Sequence, residues 1–373
     1  MPRDLIVTVC PGATTTRCAV YQMRAKSKKC VAEDTLAHDE AVLATLPGYA
    51  SQHELRLWAV QSFLDGALKD TDRVVAVAAP AGMLPVAPAG VIEVTADLAQ
   101  TALYAPVYHH PSNLGPALAL ALAASWEVPA FVADPATLDE FRDVARLSGT
   151  PEMPRFSDLD ALNIRAAGRK LAKDSRKGFD ELRAVIAQLD DAISIAPLIG
   201  GKLVDGSHWM EGAPFSTTSA GGLPPLSLID QCFSGYATRD GLVERLYAQG
   251  GVHAYLGTAD IAEVEARIDA GDTEAARVLD AMIYQIAKTI GAMASVVAFD
   301  LDAIVLTGEL AKSDQIVAGV SAAVERIAPV KVYPGSDSCA ALADNAIAAL
   351  KGTSLPHSWA ALTAPAFEVP SAA

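Results

Sequence analysis

Several short stretches of this chain carry side chains that could act on a small charged molecule. The turn Gly12-Ala13-Thr14-Thr15-Thr16-Arg17 follows an apolar run and supplies three hydroxyls and a cation. Thr14, Thr16 and Arg17 suit a hairpin that faces phosphate, although a tight hairpin selects such residues by itself. His110, beside His109, is either a site residue or a half-buried histidine with no role, and Asn113 either bonds a substrate or fixes its own turn. Asp134 closes the run Ala130 to Ala133 and precedes Pro135, an Asp-Pro pair that is ordinary turn chemistry. Asp160, Asp190 and Asp191 are acids that could hold a cation. Gly200-Gly201-Lys202 mimics a phosphate loop but lacks Walker A spacing, so a hairpin turn is the better reading. His208-Trp209-Met210-Glu211 either lines a cleft or makes loop contacts.

The elements that must position these residues can be read from apolar spacing. Leu5 to Val9 and Arg17 to Gln22 read as two strands of a hairpin, and Val74 to Ala79 and Ala130 to Ala133 as buried strands. Ala117 to Ala124 reads as a buried helix, Leu138 to Leu147 has helical spacing, and Lys170 to Leu182 reads as a polar helix near the join between halves. Ile193 to Ile195 and Lys202 to Val204 form a second hairpin closed by Gly200-Gly201, and Gly212 to Pro225 is an ordered loop. Asp272 caps the clearest helix, with Leu279, Met282, Ile283, Ile286, Ile290 and Met293 on one face. Ala303 to Leu306 opens into Thr307-Gly308-Glu309, Val330 to Tyr333 ends at Pro334-Gly335, and a helix follows through Ala341 to Leu350. Strands and helices alternate in both halves, which predicts an α/β fold, and a hairpin at the start of each half suggests a duplicated architecture.

Composition sets outer bounds. At 373 residues and 51% hydrophobic content the chain has enough apolar surface for two domains. A net charge of -15 opposes nucleic acid and an anionic membrane surface as partners, while leaving room for a small anion in a local pocket. The longest apolar stretch, Pro116 to Trp126, is too short to span a bilayer, and the start does not read as a secretory signal. Five cysteines without a CxxC pair speak against zinc and a disulfide framework, and for a reducing cytoplasm.

A resemblance sharpens this reading. Cys10-Pro11-Gly12-Ala13-Thr14-Thr15-Thr16-Arg17 resembles the opening Asn-Pro-Gly-Ser-Thr-Ser-Thr-Lys of the butyrate kinase family. His110-Pro111-Ser112-Asn113-Leu114-Gly115 is similar to its His-x-Ser-Asn-Leu-Gly. Pro129 to Pro135, Ala145 to Pro151, Ala161-Leu162-Asn163, Gly212 to Ser216, Gly221 to Pro224, Ala281 to Gly291, Asp302 to Gly308 and Tyr333-Pro334-Gly335 follow in the family's order. The resemblance implies two actin-like, ribonuclease H-like α/β domains around a central cleft. Their expected bounds are 1–165 and 166–350, with a poorly ordered tail at 351–373 and the C-terminal helix packed back on the first domain. It implies transfer of the γ-phosphoryl group of ATP, with Mg²⁺, to a short-chain carboxylate, so that butyrate and ATP give butyryl phosphate and ADP in a cytoplasmic homodimer. Asp134 would then lie near the metal and the reacting group, His110 would be catalytic and Asn113 would bind substrate. Thr14, Thr16, Arg17, Thr307 and Gly308 would bind the nucleotide.

Other positions depart from the family pattern. Cys10 stands for the family's Asn, Pro80 and Ser219 for two Arg, and Asp160 for a His. The phosphate-cradling His-x-Gly-Gly-Gly is Gln188-Leu189-Asp190-Asp191-Ala192, Glu309 replaces a Gly, and Ser336-Asp337-Ser338 keeps only the central acid of an acidic run. A kinase with low or redirected activity and a non-catalytic paralogue that binds a partner are therefore both expected readings.

Overall fold

A computed structural model describes residues 3–235 and 237–362. The chain divides into two compact units: Met1–Asp139 with the segment that starts at Asp337, and Glu140–Ser336.

In the first unit β1 (Asp4–Pro11), β2 (Thr15–Met23) and β3 (Lys28–Ala37) form an antiparallel meander, and β4 (Arg73–Pro80) pairs parallel to β1. β5 (Val91–Glu93) and β6 (Ala130–Ala133) extend the sheet beyond β4, with β6 parallel to β4. In the second unit β7 (Arg183–Gln188), β8 (Ser194–Ile199) and β9 (Lys202–Leu203) repeat the meander, and β10 (Ala303–Gly308) and β11 (Val330–Pro334) continue it in parallel. β12 (His357–Ser358) adds to β5 at the edge of the first sheet. The sheet orders are β12-β5-β6-β4-β1-β2-β3 and β11-β10-β7-β8-β9. The core order 3-2-1-4-5, three antiparallel strands continued by parallel ones, thus occurs twice; this is the ribonuclease H-like, actin-like arrangement, and the molecule is a two-unit α/β protein.

The inner parallel strands β4, β6 and β10 are apolar along most of their length because both faces are covered, whereas β11 at its sheet edge carries Lys331. Leu5, Val7, Val9, Val77 and Val132 are buried in one core; Val185, Ile304 and Leu306 lie in the other, against Leu279, Met282, Ile286 and Ile290 of the helix Thr273–Ser295. Asp272 caps that helix through bonds from the Glu274 and Ala275 amides, as its position predicts.

Four expectations need correction. The helix read over Lys170 to Leu182 runs instead over Ala161–Ser175 and stops at Arg176, which has φ 56°. The join near residue 165 moves to Asp139/Glu140, with a second crossing at Ser336/Asp337. The reason is local: the Glu140 carboxylate already takes the Leu203 N–H at 2.8 Å and Arg165 at 3.2 Å, both in the second unit. Asp337 begins the helix Ser338–Leu350, whose Cys339, Leu342, Ala343 and Ala346 are buried in the first unit. The helical spacing of Leu138 to Leu147 gives only a 3₁₀ turn, Asp143–Arg146, because the Asp139 and Arg142 amides bond the Ala87 and Val204 carbonyls instead of their own chain. The tail is ordered as far as it is described: His357 and Ser358 pair with β5, and Trp359 is buried. Residues 363–373 lie outside the described residues. Among the described residues no helix is long and apolar enough to cross a membrane.

Candidate active site

The sharpest constellation stands at the carboxyl ends of the parallel strands of the second unit, where open α/β sheets bind ligands. Gly308 ends β10 with φ 97°, and a Cβ there would come within 2.3 Å of the Leu189 carbonyl oxygen, so only glycine fits. The Leu189 amide donates to Thr307 O at 2.8 Å and the Leu310 amide to Leu189 O at 2.9 Å. Gly335 donates to Gly308 O at 2.8 Å, and the Thr307 hydroxyl reaches Gly335 O at 3.3 Å. These bonds lock the ends of β7, β10 and β11 together.

Asp190 sits at this junction. Its carboxylate accepts the Glu309 N–H at 2.5 Å, the Ser336 hydroxyl at 2.7 Å and the Gln188 side-chain amide at 2.6 Å. Backbone N–H and hydroxyl donors at strand ends are the groups that receive phosphate oxygens. Here an internal anion holds them. Gln188 is fully buried, and its Oε1 has no hydrogen-bond partner.

Asp160 and Asp191 stand close enough to Asp190 to feel its charge. Asp160 caps the helix Ala161–Ser175 and accepts the Asn163 side-chain amide at 2.9 Å. Burial, and behind it the charges of Asp190 and Asp191, holds its carboxyl up at about 6. Asp191 is raised by burial and by Asp190. The cation-binding expectation for the three acids is not met: among the described residues no group of three or more His, Cys, Asp or Glu side chains is arranged to hold a metal ion. The Asp160 shift has a testable sign. A carboxyl raised in the folded state binds an extra proton between about pH 4 and 6, so it contributes stability at low pH that is lost as pH rises through 6. Asp160→Asn is therefore expected to raise stability by about 1–3 kcal/mol at pH 8 and to change little below pH 4, read from denaturant curves at the two pH values.

The loop at 213–222, which carries Ser219, is pinned to its surroundings. The Ser216 hydroxyl donates to Asp191 O and accepts the Ser219 amide, while Val252 and His253 donate to Ser216 O and Thr217 O at 3.0 and 2.9 Å. Ser219 is buried and its Oγ has no hydrogen-bond partner. The loop-contact reading of residues 208–211 holds: Glu211 pairs with Arg155, His208 Nε2 meets Phe156 O at 3.0 Å, and Trp209 stacks edge-on to Tyr247. Gly200 and Gly201, at φ 59° and 76°, are a hairpin turn, as expected.

In the first unit the hairpin residues divide. Thr14 is exposed at the tip, while Thr16 is fully buried, with its hydroxyl 2.8 Å from His38 Nε2 and 3.0 Å from Arg56. Arg17 pairs with Glu33 and Asp337, each at 3.3 Å. Arg56 is the residue that sequence reasoning missed. It is wholly buried and donates to Ala13 O, Thr15 O, Thr16 Oγ1 and Gln52 Oε1 at 2.7 to 3.0 Å, so it holds the turn from beneath. The signal was present: Arg56, Val60 and Leu64 are spaced by four on one face of the helix His53–Ala67.

His110 caps the short turn Pro111–Leu114. Its Nδ1 accepts the Ser112 amide at 3.2 Å, which puts the ring proton on Nε2, and burial pushes the imidazole down to about 4. It is therefore a neutral donor near pH 7. Asn113 follows the turn reading, since Oδ1 accepts the Met83 amide at 2.7 Å and Nδ2 donates to Tyr108 O at 3.0 Å. Asp134 is buried with φ 43°, a region that Asp tolerates better than most residues, and its carboxylate takes the Gly90 amide at 2.8 Å.

Comparison with known proteins turns this geometry into a family assignment. A probable butyrate kinase 2 from Caldanaerobacter subterraneus subsp. tengcongensis is 35% identical over 351 residues, covering 94% of this chain and 98% of that protein. The chain belongs to the butyrate kinase family. A probable butyrate kinase from Bacteroides thetaiotaomicron is 38% identical over 351 residues, 93% of this chain and 97% of the relative. The acetokinase family model matches residues 166–343. Among solved structures, an acetate kinase from Porphyromonas gingivalis is similar with a TM-score of 0.73 at 17% identity, covering 93% of this chain and all of that one. A propionate kinase from Francisella tularensis gives 0.67 at 13% identity, covering 92% and 98% of the two chains. These likenesses show the fold. In this family member the Asp190 carboxylate lies in the turn that follows β7.

Proposed function

We propose that this chain transfers the γ-phosphoryl group of MgATP to a short-chain carboxylate such as butyrate, giving butyryl phosphate and ADP, with a weakened hold on the triphosphate. The observation that supports the kinase reading is correspondence with probable butyrate kinases along nearly their whole length. A carboxylate oxygen attacks the γ-phosphorus as the bond to the ADP oxygen breaks. The acceptor needs no general base, so catalysis rests on alignment and on donors to the transferring group. In this reading the neutral His110 is the catalytic donor through its Nε2–H, and the nucleotide-binding residues are Thr14, Thr16, Arg17, Thr307 and Gly308. Asp134 is the acid that would lie near the Mg²⁺ and the reacting group, with the metal carried mainly by the nucleotide.

A second reading, a non-catalytic family member, is favoured by one observation: the Asp190 carboxylate fills donors that a phosphate would use. Butyrate-dependent ADP release, with the acyl phosphate trapped as its hydroxamate, separates the two. Kinases typically turn over at about 1 to 100 per second, and loss of one transition-state Arg costs roughly 10³-fold or more. The first reading predicts butyrate-dependent turnover below about 0.1 per second; no acyl phosphate at all selects the second. Turnover at ordinary kinase rates removes the weakened-hold claim.

The chain in this reading is a cytoplasmic homodimer whose partners are the nucleotide and the carboxylate. Dimerisation is supported by the helix Pro225–Cys232, none of whose residues is buried, and which with Phe233 leaves Leu226 71%, Ile229 51% and Phe233 86% exposed. Phe233→Asp is expected to convert a dimer to a monomer in light scattering; an unchanged mass would remove this face from the interface.

A further inference from the structure

Cys10 and Cys339 meet in the first unit with their Sγ atoms 3.3 Å apart, although 329 residues separate them. Cys10 lies next to the end of β1, just before the Pro11-Gly12 turn. Cys339 lies in the first turn of the helix Ser338–Leu350, whose cap is Asp337, directly after the chain crosses from the second unit into the first. Both are free thiols. We propose that Cys10 and Cys339 form a redox-active dithiol, a modification site that closes to a disulfide under a peroxide.

The surroundings favour this chemistry. The sulfurs already touch, and a covalent bond of about 2.05 Å needs an approach of little more than an ångström. The hydrogen bond from Cys10 draws the Cys339 thiol down toward its thiolate; burial and the Asp337 charge oppose it, and the Thr8 hydroxyl and the nearby Arg17 charge support it, while the same shared bond and burial push Cys10 up. The start of a helix also stabilises an anion. Cys10 is partly exposed and gives a small oxidant a way in, while Cys339 is buried. The Cys339 thiolate attacks one peroxide oxygen, the O–O bond breaks, and hydroxide leaves as water after taking a proton. The sulfur of Cys10 then displaces the hydroxyl of the resulting sulfenic acid, losing its own proton and releasing a second water. Two thiols are oxidised and one peroxide is reduced to two waters. The bond would tether the end of β1 to the point where the chain re-enters the first unit. This inference rests on the two sulfurs and not on the kinase reading.

The test uses the full chain treated with hydrogen peroxide, alkylated and digested without reductant, followed by mass spectrometry. The expected result is a cross-linked peptide pair carrying Cys10 and Cys339, two hydrogens lighter than the separate peptides, which dithiothreitol restores to thiols. In Cys10→Ser the cross-link disappears and Cys339 accumulates as sulfenic or sulfinic acid; this second arm keeps the test informative if the bond is short-lived. Recovery of both Cys10 and Cys339 as alkylated thiols while the exposed Cys232 is oxidised would overturn the proposal.

Discussion

Asp190→Gly should bind ATP at least tenfold more tightly than the native chain while losing stability. The carboxylate now accepts the Glu309 amide, the Ser336 hydroxyl and the Gln188 amide. A phosphate approaching those donors meets a like charge, and two unit charges about 4 Å apart near a protein surface repel by about 4 kcal/mol. Water and counterions reduce that figure, yet one order of magnitude in affinity needs only about 1.4 kcal/mol. The variant frees three donors and accordingly costs about 1–3 kcal/mol of folding free energy. Opposite signs for affinity and stability are the signature of an internal anion, because a merely structural residue would lower both. Calorimetric titration and a denaturant curve on the same preparation read the two numbers. An unchanged or weaker affinity would mean that the donors at the end of β10 do not receive phosphate.

The second large effect is on the hairpin of the first unit. Arg56→Met should cost about 3–5 kcal/mol, because several buried acceptors lose their donor and each unsatisfied group costs about 1–3 kcal/mol. The native guanidinium is fully enclosed, draws no ion pair from the residues it bonds, and is lowered by burial. Its value therefore lies in the acceptors it satisfies: the Ala13 and Thr15 carbonyls, the Thr16 hydroxyl and the Gln52 amide oxygen. Methionine fills much of the volume and satisfies none of them. A loss under 1 kcal/mol in equilibrium unfolding would show that water replaces the guanidinium and that the turn holds itself.

Much of the fold was legible before any coordinates. Ala130 to Ala133 and Val330 to Tyr333 are strands at or near the expected bounds, because short runs closed by Asp134-Pro135 and by Pro334-Gly335 leave few alternatives. β3 escaped, since its alternation Lys28 to Ala37 mixes charge into an outer strand whose residues are only partly buried or exposed. The tail escaped because pairing of His357 with Ile92 and burial of Trp359 are decided by a distant strand. The site was legible as residue types and not as partners. The acid at position 190 and the charge it brings are legible in the sequence. That its carboxylate would reach Glu309, 119 residues away, and Ser336, 146 residues away, depends on how β7, β10 and β11 align. The type of Asn113 allows two roles, and its bonds to the Met83 and Tyr108 backbone groups depend on where the fold brings those segments.

The central claim is that Asp190 holds the phosphate donors at the strand ends, and a crystal structure of the native chain grown with a non-hydrolysable ATP analogue and Mg²⁺ tests it most directly. The account predicts the Asp190 carboxylate still on the Glu309 amide and the Ser336 hydroxyl, with no phosphate oxygen on either. Phosphate oxygens ordered on the Glu309 amide, with Asp190 turned away and the γ-phosphate set for transfer, would contradict it.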